Sequence, residues 1–578
     1  MALSFNLIDE PWQDVRPVDG GPALSVGLRD AILRAHEFAD LVVELPTQKP
    51  ALLRQVLLPV VVDALRDVVD AEVWARVMSA GRFEGDAADR IGRYLDEHRE
   101  LFDLFHPVDP FAQVAGLRTA KDETKGAALL VATASSGNNV PLFATRTEGD
   151  PLRLSPAQAA RWLLHTHCWD TAAIKTGVVG DPQAKAGKTT GNPTGPLGQF
   201  ATVTPGGRNL FDTLMLNVPT GHTLLSDDLP QWRRRAISGR VDETLSVATP
   251  EWRTRAPRGY LDLWTWQSRR IRLVPEETGT GMSVSRVLIA AGDRMNRTPD
   301  FEPHTSWRTE ATGRTKKSTG VTTERPRRLQ PGVAAWRGME ALLETDRRDR
   351  TVGTRTDGLR PSTLLRQLRT DKQLPDGYSL RVELTGIAYG TQSAVIDDVM
   401  ADAIPLPVAA LQPGQVRGAL LEAADQADTL ARAVNTLSAD IRRAAGAEPI
   451  PWDKGQRPGE ILLHALDPLV RRLLSDLRPL GDDFEAVEER MLLWENAARE
   501  QALMAADTVA AAAPPGTFNG RTIRKDGKDR TFRQAGAEKS FRSCLKGTLT
   551  RAAEAAEAAR AERAEAAETT DEPVPEAV

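Results

Sequence analysis

The sequence contains few of the residues on which disulfides, metal centres and membrane spans depend. Its 578 residues include two cysteines, Cys168 and Cys544, which excludes a disulfide framework and is typical of a reducing cytoplasm. A membrane helix needs roughly 20 apolar residues, and the apolar run Val56–Leu65 is far too short. Met1–Pro11 lacks the basic start and apolar core of a signal peptide. We therefore expect a cytoplasmic protein with no membrane partner.

Catalytic signatures are also scarce. No histidine–carboxylate pair, Cys/His nucleophile pattern or set of metal ligands occurs at motif spacing. The group His165–Cys168 lacks a second pair of ligands, so we interpret it as packing or polar-face residues. Gly187-Lys188-Thr189 resembles the end of a phosphate-binding loop, but Pro182 stands where that motif requires glycine. We predict no catalytic residue, no metal and no cofactor. An active site assembled from dispersed residues stays open as the alternative.

Charge is unevenly distributed along the chain. The net charge of −5 argues against a protein that coats nucleic acid by bulk charge. Residues 251–370, however, contain 24 Lys and Arg against 14 Asp and Glu. This basic middle predicts either a local phosphate-facing surface or an ordinary solvated arginine face, and the charge count alone does not choose between them.

The stretch Thr133–Val218 is unusually rich in glycine. Glycine is used where the backbone takes a positive φ or approaches another group closely. A long loop between ordered segments is more often functional than accidental, and a surface insertion is the other interpretation. The interspersed lysines are candidate partners for the phosphates of a polymer. The stretch contains Lys175, Lys185, Lys188, Gly177, Gly180, Gly187, Gly191, Gly195 and Gly198.

Local patterns predict several elements of the N-terminal part. Phe5–Trp12 predicts a first strand, and the helical spacing of apolar residues over Pro50–Asp67 predicts a core helix. Thr309–Arg328 is polar and poorly periodic, which predicts a mobile loop. Alternation over Leu380–Leu384 predicts a half-buried strand that leads into the tight turn 388–393 and returns at residue 394.

The composition changes near residue 405. Apolar stripes at helical spacing predict four amphipathic helices over residues 405–567, and the connection Pro514–Arg533 is basic and contains glycine. Residues 568–578 are acidic and contain proline, which predicts a disordered tail. The predicted fold class is α+β, with a large mixed N-terminal domain over residues 1–404 followed by a C-terminal four-helix bundle.

An ordered set of short blocks resembles the CasA family, the large subunit of the type I-E CRISPR surveillance complex (Cascade). The set covers nearly the whole chain and continues into the helical C-terminal part. Each block is short, and the specificity lies in their order. The blocks are Phe5–Trp12, His106–Gln113, Gly137–Phe143, Gly207–Phe211 and Trp264–Leu273.

The resemblance implies a DNA-recognition subunit rather than an enzyme. The implied partners are other Cascade subunits, the 5′ handle of the crRNA, duplex DNA with a protospacer-adjacent motif (PAM), and a recruited helicase-nuclease. The implied role is to recognise the PAM and to help begin strand separation and R-loop formation. The residues that match the family's handle-binding loop are Asn138, Asn139 and Phe143.

The resemblance also assigns DNA-facing residues. Gly177 and Gly180 match a glycine loop that approaches the PAM minor groove, and Thr391-Gln392 matches a wedge that enters the duplex beside the PAM. Relatives often carry a lysine finger before the block Phe301–Trp307. This chain has no lysine there, and Arg294 or Arg297 is the candidate substitute.

Two further inferences concern what the chain lacks and what else it could be. Some relatives carry a cysteine-rich zinc element near Glu276–Val287, where this chain has no cysteine, so we predict no zinc. A protein scaffold that binds through its helical bundle and touches no nucleic acid is a further alternative.

Overall fold

A computed structural model describes residues 3–135, 151–236, 249–279, 281–312, 321–343, 358–370, 374–451, 457–525 and 528–570. Contacts divide the chain into two compact units. The first comprises Met1–Val333, Glu344–Gln373 and Leu380–Ala403, and the second comprises Ala334–Leu343, Leu374–Ser379 and Ile404–Val578. The predicted domain boundary at residues 404/405 stays a prediction. The contacts add that two earlier segments belong with the C-terminal unit.

Small antiparallel sheets form the strand content of the first unit. Their spatial orders are β2-β1-β3, β4-β9-β8, β14-β13-β7, β11-β10-β12 and the pair β5-β6. The strands are β1 (Gln13–Pro17), β2 (Leu24–Val26), β3 (Phe38–Val42), β4 (Lys125–Gly126), β5 (Lys175–Thr176), β6 (Lys188–Thr189), β7 (Thr202–Gly206), β8 (Arg269–Thr278), β9 (Gly281–Ala291), β10 (Trp307–Thr312), β11 (Val321–Pro326), β12 (Leu359–Arg360), β13 (Arg381–Tyr389) and β14 (Ile396–Pro405).

Ten α-helices are described in the first unit. They are α1 (Leu28–Leu33), α2 (Gln48–Leu52), α3 (Leu58–Ala64), α4 (Ala71–Ala80), α5 (Gly85–Glu97), α6 (Pro156–Trp169), α7 (Leu210–Leu216), α8 (Gln231–Ala236), α9 (Tyr260–Trp264) and α10 (Thr363–Thr370). Helix α6 begins with a capping box in which the side chains of Ser155 and Gln158 each accept the other's backbone N–H.

The core helix predicted over Pro50–Asp67 is confirmed as α2 and α3 joined by a π-helical turn, Leu53–Leu57. Every residue of this turn is buried, including Arg54. Its guanidinium forms an ion pair with Glu302, whose side chain is also buried. Burial by itself raises the pKa of Glu302, but the charge of Arg54 and the hydrogen bonds that Glu302 accepts lower it to about 2. The helix is therefore packed on all sides.

The first strand predicted over Phe5–Trp12 is wrong. In this segment the structure has an isolated bridge from Asn6 to Asp103, and the strand β1 begins at Gln13. Leu7 and Ile8 are both fully buried, although they are neighbours in sequence. In a strand, neighbours point to opposite faces, so a segment that buries both in one core does not alternate.

The mobile loop predicted over Thr309–Arg328 is also wrong for the residues that are described. Strands β10 and β11 pair in register from Trp307 opposite Pro326 to Thr312 opposite Val321. Residues 313–320 lie outside the described residues. Backbone hydrogen bonds hold the two strands together. Because the side chains of both strands are mostly polar, no hydrophobic alternation indicates them in the sequence. Trp307 is buried at the start of the hairpin, and Arg360 of β12 lies over its ring at 4.9 Å.

The second unit is built on long helices, which confirms the α+β class with a C-terminal helical region. The helices are α11 (Gln415–Ala444), α12 (Pro458–Leu477), α13 (Phe484–Ala511), α14 (Gln534–Thr548) and α15 (Thr550–Thr570). Four of them carry the predicted apolar stripes, and α15 is an addition. The connection Pro514–Arg533 contains a hairpin, β15 (Arg521–Lys525) and β16 (Lys528–Phe532).

The C-terminal end differs from the predicted tail in one respect. Helix α15 extends to Thr570, so residues 568–570 are helical, while residues 571–578 lie outside the described residues. Among the helices described, none combines the length and apolar composition that a membrane span requires.

Candidate nucleic-acid interface

The glycine-rich stretch folds into a short hairpin with a tight turn. Strands β5 and β6 pair, and Lys185 and Lys188 exchange both backbone hydrogen bonds, at 2.8 and 3.0 Å. Between them Ala186 has φ 49° and Gly187 has φ 71°. Two successive positive φ angles are those of a type I′ turn, which follows the twist of paired strands. Lys185 and Lys188 are both exposed at this tip. We call residues 175–189 the glycine hairpin.

Gly177 and Gly180 each have a structural reason to be glycine. A Cβ on Gly177 would lie 2.7 Å from the carbonyl carbon of Gly187 on the opposite strand. Gly180 has φ 89°, and a Cβ there would lie 3.3 Å from the Pro250 ring. Glycine at these two positions is therefore needed for the hairpin and the adjacent turn to form, whether or not DNA approaches them.

Buried polar side chains hold the hairpin in one arrangement. Asp181 accepts hydrogen bonds from Thr189 Oγ1 at 2.8 Å and from the backbone of Gln183 at 2.9 Å. Asn192 Nδ2 donates to the carbonyl of Thr189 at 2.9 Å. Asp181, Thr189 and Asn192 are all less than a tenth exposed. The lysine tip therefore projects from an ordered base.

The two candidate arginines occupy different environments. Arg294 Nη2 donates to the carbonyl of Thr190 at 2.8 Å, and its guanidinium lies 3.9 Å from the centre of the Trp252 ring. Arg294 thus supports the segment that follows the glycine hairpin. Arg297 has a side chain that is 73% exposed and forms an ion pair with Asp300 at 3.2 Å. The structure brings Arg294, but not Arg297, into contact with the glycine segment.

The turn between β13 and β14 presents Thr391 and Gln392 to solvent. Gln392 has φ 54° and ψ 24°, and Ser393 also has φ 54°. Two successive residues other than glycine in the left-handed region are costly and persist where the surroundings impose them. A Cβ on the preceding Gly390 would overlap the carboxylate of Asp397, so a larger residue there would require the Asp397 side chain to move.

A backbone hydrogen bond joins this turn to the segment that enters the glycine hairpin. The N–H of Ala172 donates to the carbonyl of Ser393 at 2.7 Å. Ala172 lies three residues before β5, and Ser393 follows Gln392 directly. Two segments that are more than 200 residues apart in sequence therefore meet at the turn that contains Gln392.

An ion network beneath this junction was missed by the sequence analysis. Arg269 donates to the carboxylate of Asp170, and Lys175 Nζ lies 2.6 Å from Asp170 Oδ2. Burial by itself raises the pKa of Asp170, but the charges of Lys175 and Arg269 lower it to about 2. Burial lowers the pKa of Lys175 to about 8. Tyr389 donates from its hydroxyl to the carbonyl of Trp169 at 2.6 Å.

The location of the network explains why no motif signalled it. Its partners come from α6, β5, β8 and β13, and only their assembly makes them neighbours. The one signal in the sequence is the position of Lys175 among the glycines, which suggests that Lys175 binds phosphate. The structure corrects that interpretation, because the ammonium group of Lys175 is buried and bound to Asp170.

The proposed handle-binding residues Asn138, Asn139 and Phe143 lie outside the described residues. The segment that precedes them contributes Leu129, Leu130, Val131 and Ala132 to the wall of a cavity of about 260 Å³. Asp170 and Lys175 of the network also line this cavity.

Three arginines among the described residues of the basic middle do not face solvent. Arg269 and Arg270 are each 1% exposed, and Arg255 is bound to Asp262 and Asp293. These arginines are charged groups of the interior that are paired with carboxylates. Neither interpretation of the segment from sequence, a phosphate surface or a solvated face, describes them.

The group on α6 is confirmed as packing. His165, Thr166, His167 and Cys168 are all buried, and His165 Nε2 lies 2.9 Å from Thr47 Oγ1. Burial lowers the pKa of His165 to about 3. Gly187-Lys188-Thr189 belongs to a hairpin and not to a helix start, which agrees with rejecting a phosphate-binding loop.

Comparisons with known proteins identify a family. The sequence model of the family described as CRISPR-associated protein Cse1 matches residues 6–505. The CRISPR-associated protein CasA/Cse1 of Thermus thermophilus is 29% identical over 447 residues, or 77% of this chain and 79% of that protein. The solved Cse1 of Thermobifida fusca is 31% identical, with a TM-score of 0.77 over 95% of this chain and 99% of that chain.

A chain of a solved "CRISPR RNA-guided surveillance complex" has a TM-score of 0.69 at 22% identity and covers 94% of this chain and 99% of its own length. At that identity the likeness shows the fold alone. The family match, in contrast, spans most of the sequence and both units of the fold. The chain belongs to the CRISPR-associated protein Cse1 family.

Proposed function

We propose that this chain is the large subunit of a crRNA-guided type I-E Cascade complex and that it recognises the PAM in duplex DNA. Family membership supports the coarse role. The observation that carries the finer one is the hydrogen bond from Ala172 to Ser393, which joins the glycine hairpin and the Gln392 turn. A PAM reader and a strand-separating wedge must act on adjacent base pairs, and the two hairpins are adjacent.

The glycine hairpin is suited to a minor groove. Lys185 and Lys188 at its tip supply two exposed charges for phosphates. Gly180 is exposed and carries no side chain to obstruct a close approach, while Gly177 is buried against Gly187 and shapes the hairpin that presents Gly180. The minor groove distinguishes A·T from G·C but little more, so several related PAMs are tolerated. Arg297 is the better substitute for the lysine finger, because Arg294 is bound to the segment beside the hairpin.

The Gln392 turn is suited to separating base pairs. A wedge must offset the loss of stacking, which averages about 1.4 kcal/mol per base-pair step. Gln392 is exposed, and its left-handed backbone lies in a turn that is pinned at Ser393. A wedge fixed before DNA arrives does not lose conformational freedom on insertion.

The remaining parts of the proposal follow from family membership. Asn138, Asn139 and Phe143 bind the 5′ handle of the crRNA, and the chain assembles with other Cascade subunits in the cytoplasm. It also provides a docking surface for the helicase-nuclease in antiviral defence. The chain itself is not an enzyme and uses no metal or cofactor, so cleavage belongs to the recruited partner.

The test compares complexes assembled with wild-type chain, with Gln392→Ala and without the chain, on target duplexes with and without candidate PAMs. A gel shift measures binding, and a fluorescent base beside the PAM measures opening. We expect target binding to require the chain and a PAM, and Gln392→Ala to slow opening about tenfold, the effect of roughly one stacking step.

Two further variants separate the amide from the backbone. Gln392→Asn keeps an amide and tolerates the left-handed region, so it should retain part of the opening rate, whereas Gln392→Gly keeps only the conformation. Gln330→Ala removes an exposed glutamine elsewhere in the first unit and is the matched control. Equal binding with and without the chain, or PAM-independent binding, would refute the proposal.

A further inference from the structure

The second unit contains a cationic segment within an acidic surround. Residues 521–546 contain nine Lys and Arg and three Asp and Glu. The rest of residues 404–578 contains 14 Lys and Arg and 25 Asp and Glu. The segment comprises the β15–β16 hairpin and most of α14. This concentration of positive charge attracts polyanions locally, although the net charge of residues 404–578 is negative.

The hairpin attaches to α11 through one face. Phe532 is buried, and the guanidinium of Arg443 on α11 lies 5.3 Å from the centre of its ring. Arg530, on the same face, lies 3.7 Å from Asp440 of α11. Opposite residues of an antiparallel pair share a face, so this face also includes Ile523, which pairs with Arg530.

The other face of the hairpin is open to solvent and carries hydroxyl and guanidinium groups. Thr522 and Thr531 lie opposite each other with their hydroxyls 2.8 Å apart, and both are exposed. Arg524 has a side chain that is 77% exposed and lies 4.0 Å from Asp529. Arg533 continues the same face past the end of β16 and is exposed. Hydroxyls and guanidinium groups donate hydrogen bonds that phosphate oxygens accept.

An exposed aromatic residue lies in the turn that precedes β15. Phe518 is 83% exposed, the highest value among the large hydrophobic residues that the structure exposes. Its neighbour Thr517 is 1% exposed, and Thr517 Oγ1 lies 2.7 Å from the carbonyl of Pro514 and 3.0 Å from Gln534 Oε1. The turn is thus anchored to the start of α14, so Phe518 is held outward by an ordered backbone.

Gly520 fixes the path of the turn between Phe518 and β15. It has φ 74°, and a Cβ there would overlap the carbonyl of Phe532 and the side chain of Arg533. The turn therefore passes directly against the end of β16. Phe518 precedes this tight approach by two residues in the sequence, and Arg533 lies on the opposite side of it.

We propose that Phe518, Arg524 and Arg533, with the hydroxyls of Thr522 and Thr531, form a binding surface for single-stranded nucleic acid. One base stacks on Phe518 while the guanidinium groups contact the phosphates that follow it. This combination of an exposed aromatic platform with a cationic track is how proteins hold single strands without sequence preference. The inference goes beyond the proposed function and does not rest on it.

The observations favour a single strand over the other polyanions. Stacking on Phe518 requires a base whose face is accessible, which a paired duplex buries. An acidic protein partner would use the charges but would leave the ring without a role. The hairpin face is also narrow, two strands wide, which fits one backbone.

The experiment measures fluorescence anisotropy of a labelled oligo(dT) of about 20 nucleotides, long enough for one such site, with the full-length chain alone, over a series of KCl concentrations. We expect salt-dependent binding that Phe518→Ala weakens about fivefold or more, the effect of losing one stacked base. Arg533→Glu should lower the slope of log K against log salt by about 0.7, since one phosphate contact is lost. Glutamate before α14 is compatible with the helix dipole, so the fold should persist.

The controls are Phe484→Ala, which removes an exposed phenylalanine from the start of α13, and Arg472→Glu, which reverses an exposed charge on α12. Both should bind as wild type does. The inference is overturned if the wild-type chain does not bind oligo(dT), or if Phe518→Ala and Arg533→Glu match their controls. The inference is also overturned if Phe518→Ala weakens the binding of a duplex of the same length as much as it weakens binding of the single strand. The oligonucleotide has neither PAM nor target sequence, so failure here is distinct from failure of the proposed duplex recognition.

Discussion

Gly177 is glycine because of its own hairpin, since a Cβ at this position would lie 2.7 Å from the Gly187 carbonyl carbon. The sequence suggested that such glycines let a backbone approach DNA. The structure adds an internal requirement, so loss of DNA binding on substitution would not by itself demonstrate a DNA contact. The two roles are separated by measuring stability and binding in the same variant.

We expect Gly177→Ala to lower the free energy of unfolding of the first unit by about 1–3 kcal/mol, because overpacking forces the two strands apart. Thermal unfolding followed by tryptophan fluorescence measures this. Gly279→Ala, at the β8–β9 turn, is the control, because a Cβ there would meet nothing within 4 Å. Unchanged stability of Gly177→Ala would show that the hairpin is not packed as described.

His165 makes the stability of the fold sensitive to acid. Its pKa is about 3 in the fold, where burial disfavours the charged ring, and about 6.5 in the unfolded chain. Above pH 6.5 both states are neutral and the stability is complete. Below that value the unfolded chain binds a proton that the fold does not, so stability falls by up to about 1.4 kcal/mol per pH unit.

Denaturant unfolding at about one pH unit above and one below the unfolded pKa of histidine tests this. The wild type should lose about 1.4 kcal/mol more than His165→Gln between the two values, since only the wild type has this linked proton. His464→Gln removes an exposed histidine and should lose as much as the wild type. Equal losses in the wild type and His165→Gln would contradict the assignment.

At the scale of elements, the C-terminal helices are joined by polar contacts as well as by apolar stripes. Arg551 of α15 binds Glu422 of α11 and both Glu488 and Glu495 of α13, at 2.6 to 2.9 Å. Hydrogen bonds to these carboxylates raise the pKa of Arg551. Glu495 is fully buried and also accepts the N–H of Ala552 at 3.0 Å.

We expect Arg551→Ala to destabilise the second unit by about 3 kcal/mol, because it leaves the buried carboxylate of Glu495 without its cation. Hydrogen exchange should show faster exchange in α15 before the other helices are affected. Arg560→Ala, on an exposed turn of the same helix, should leave exchange unchanged. A variant Arg551→Ala that exchanges as slowly as wild type would show that α15 is held by its apolar contacts alone.

At the scale of the whole molecule, charge counted along the sequence is not charge on the surface. The basic middle was the strongest electrostatic signal in the sequence, yet Arg269 and Arg270 are buried. In the proposed DNA-facing region Lys185 and Lys188 are exposed together at one tip. Binding should therefore depend on individual lysines more than on bulk charge.

Replacing both lysines, Lys185→Ala with Lys188→Ala, should lower the salt dependence of PAM-duplex binding by the assembled complex. Two lost phosphate contacts reduce the slope of log K against log salt by about 1.8. Electrophoretic titrations at several KCl concentrations provide the slope. The pair Arg76→Ala with Arg93→Ala, exposed on α4 and α5, is the control. An unchanged slope in the lysine pair would place the DNA elsewhere.

Local sequence determined the elements whose signals are local. The spacing of apolar residues predicted the core helix at α2–α3 and the C-terminal helices, because burial of one helix face requires that spacing. Alternation predicted β13 and the position of its turn. The order of short blocks indicated the family, and composition indicated the fold class.

Tertiary structure alone decided the rest. The polar strands β10 and β11 pair through their backbones, and Leu7 and Ile8 are both buried without alternation, so periodicity misjudged both segments. The contact between Ala172 and Ser393 joins segments more than 200 residues apart, and the partners of Asp170 come from distant strands. No local pattern in the sequence predicts such pairs, because the residues become neighbours only when the whole unit packs.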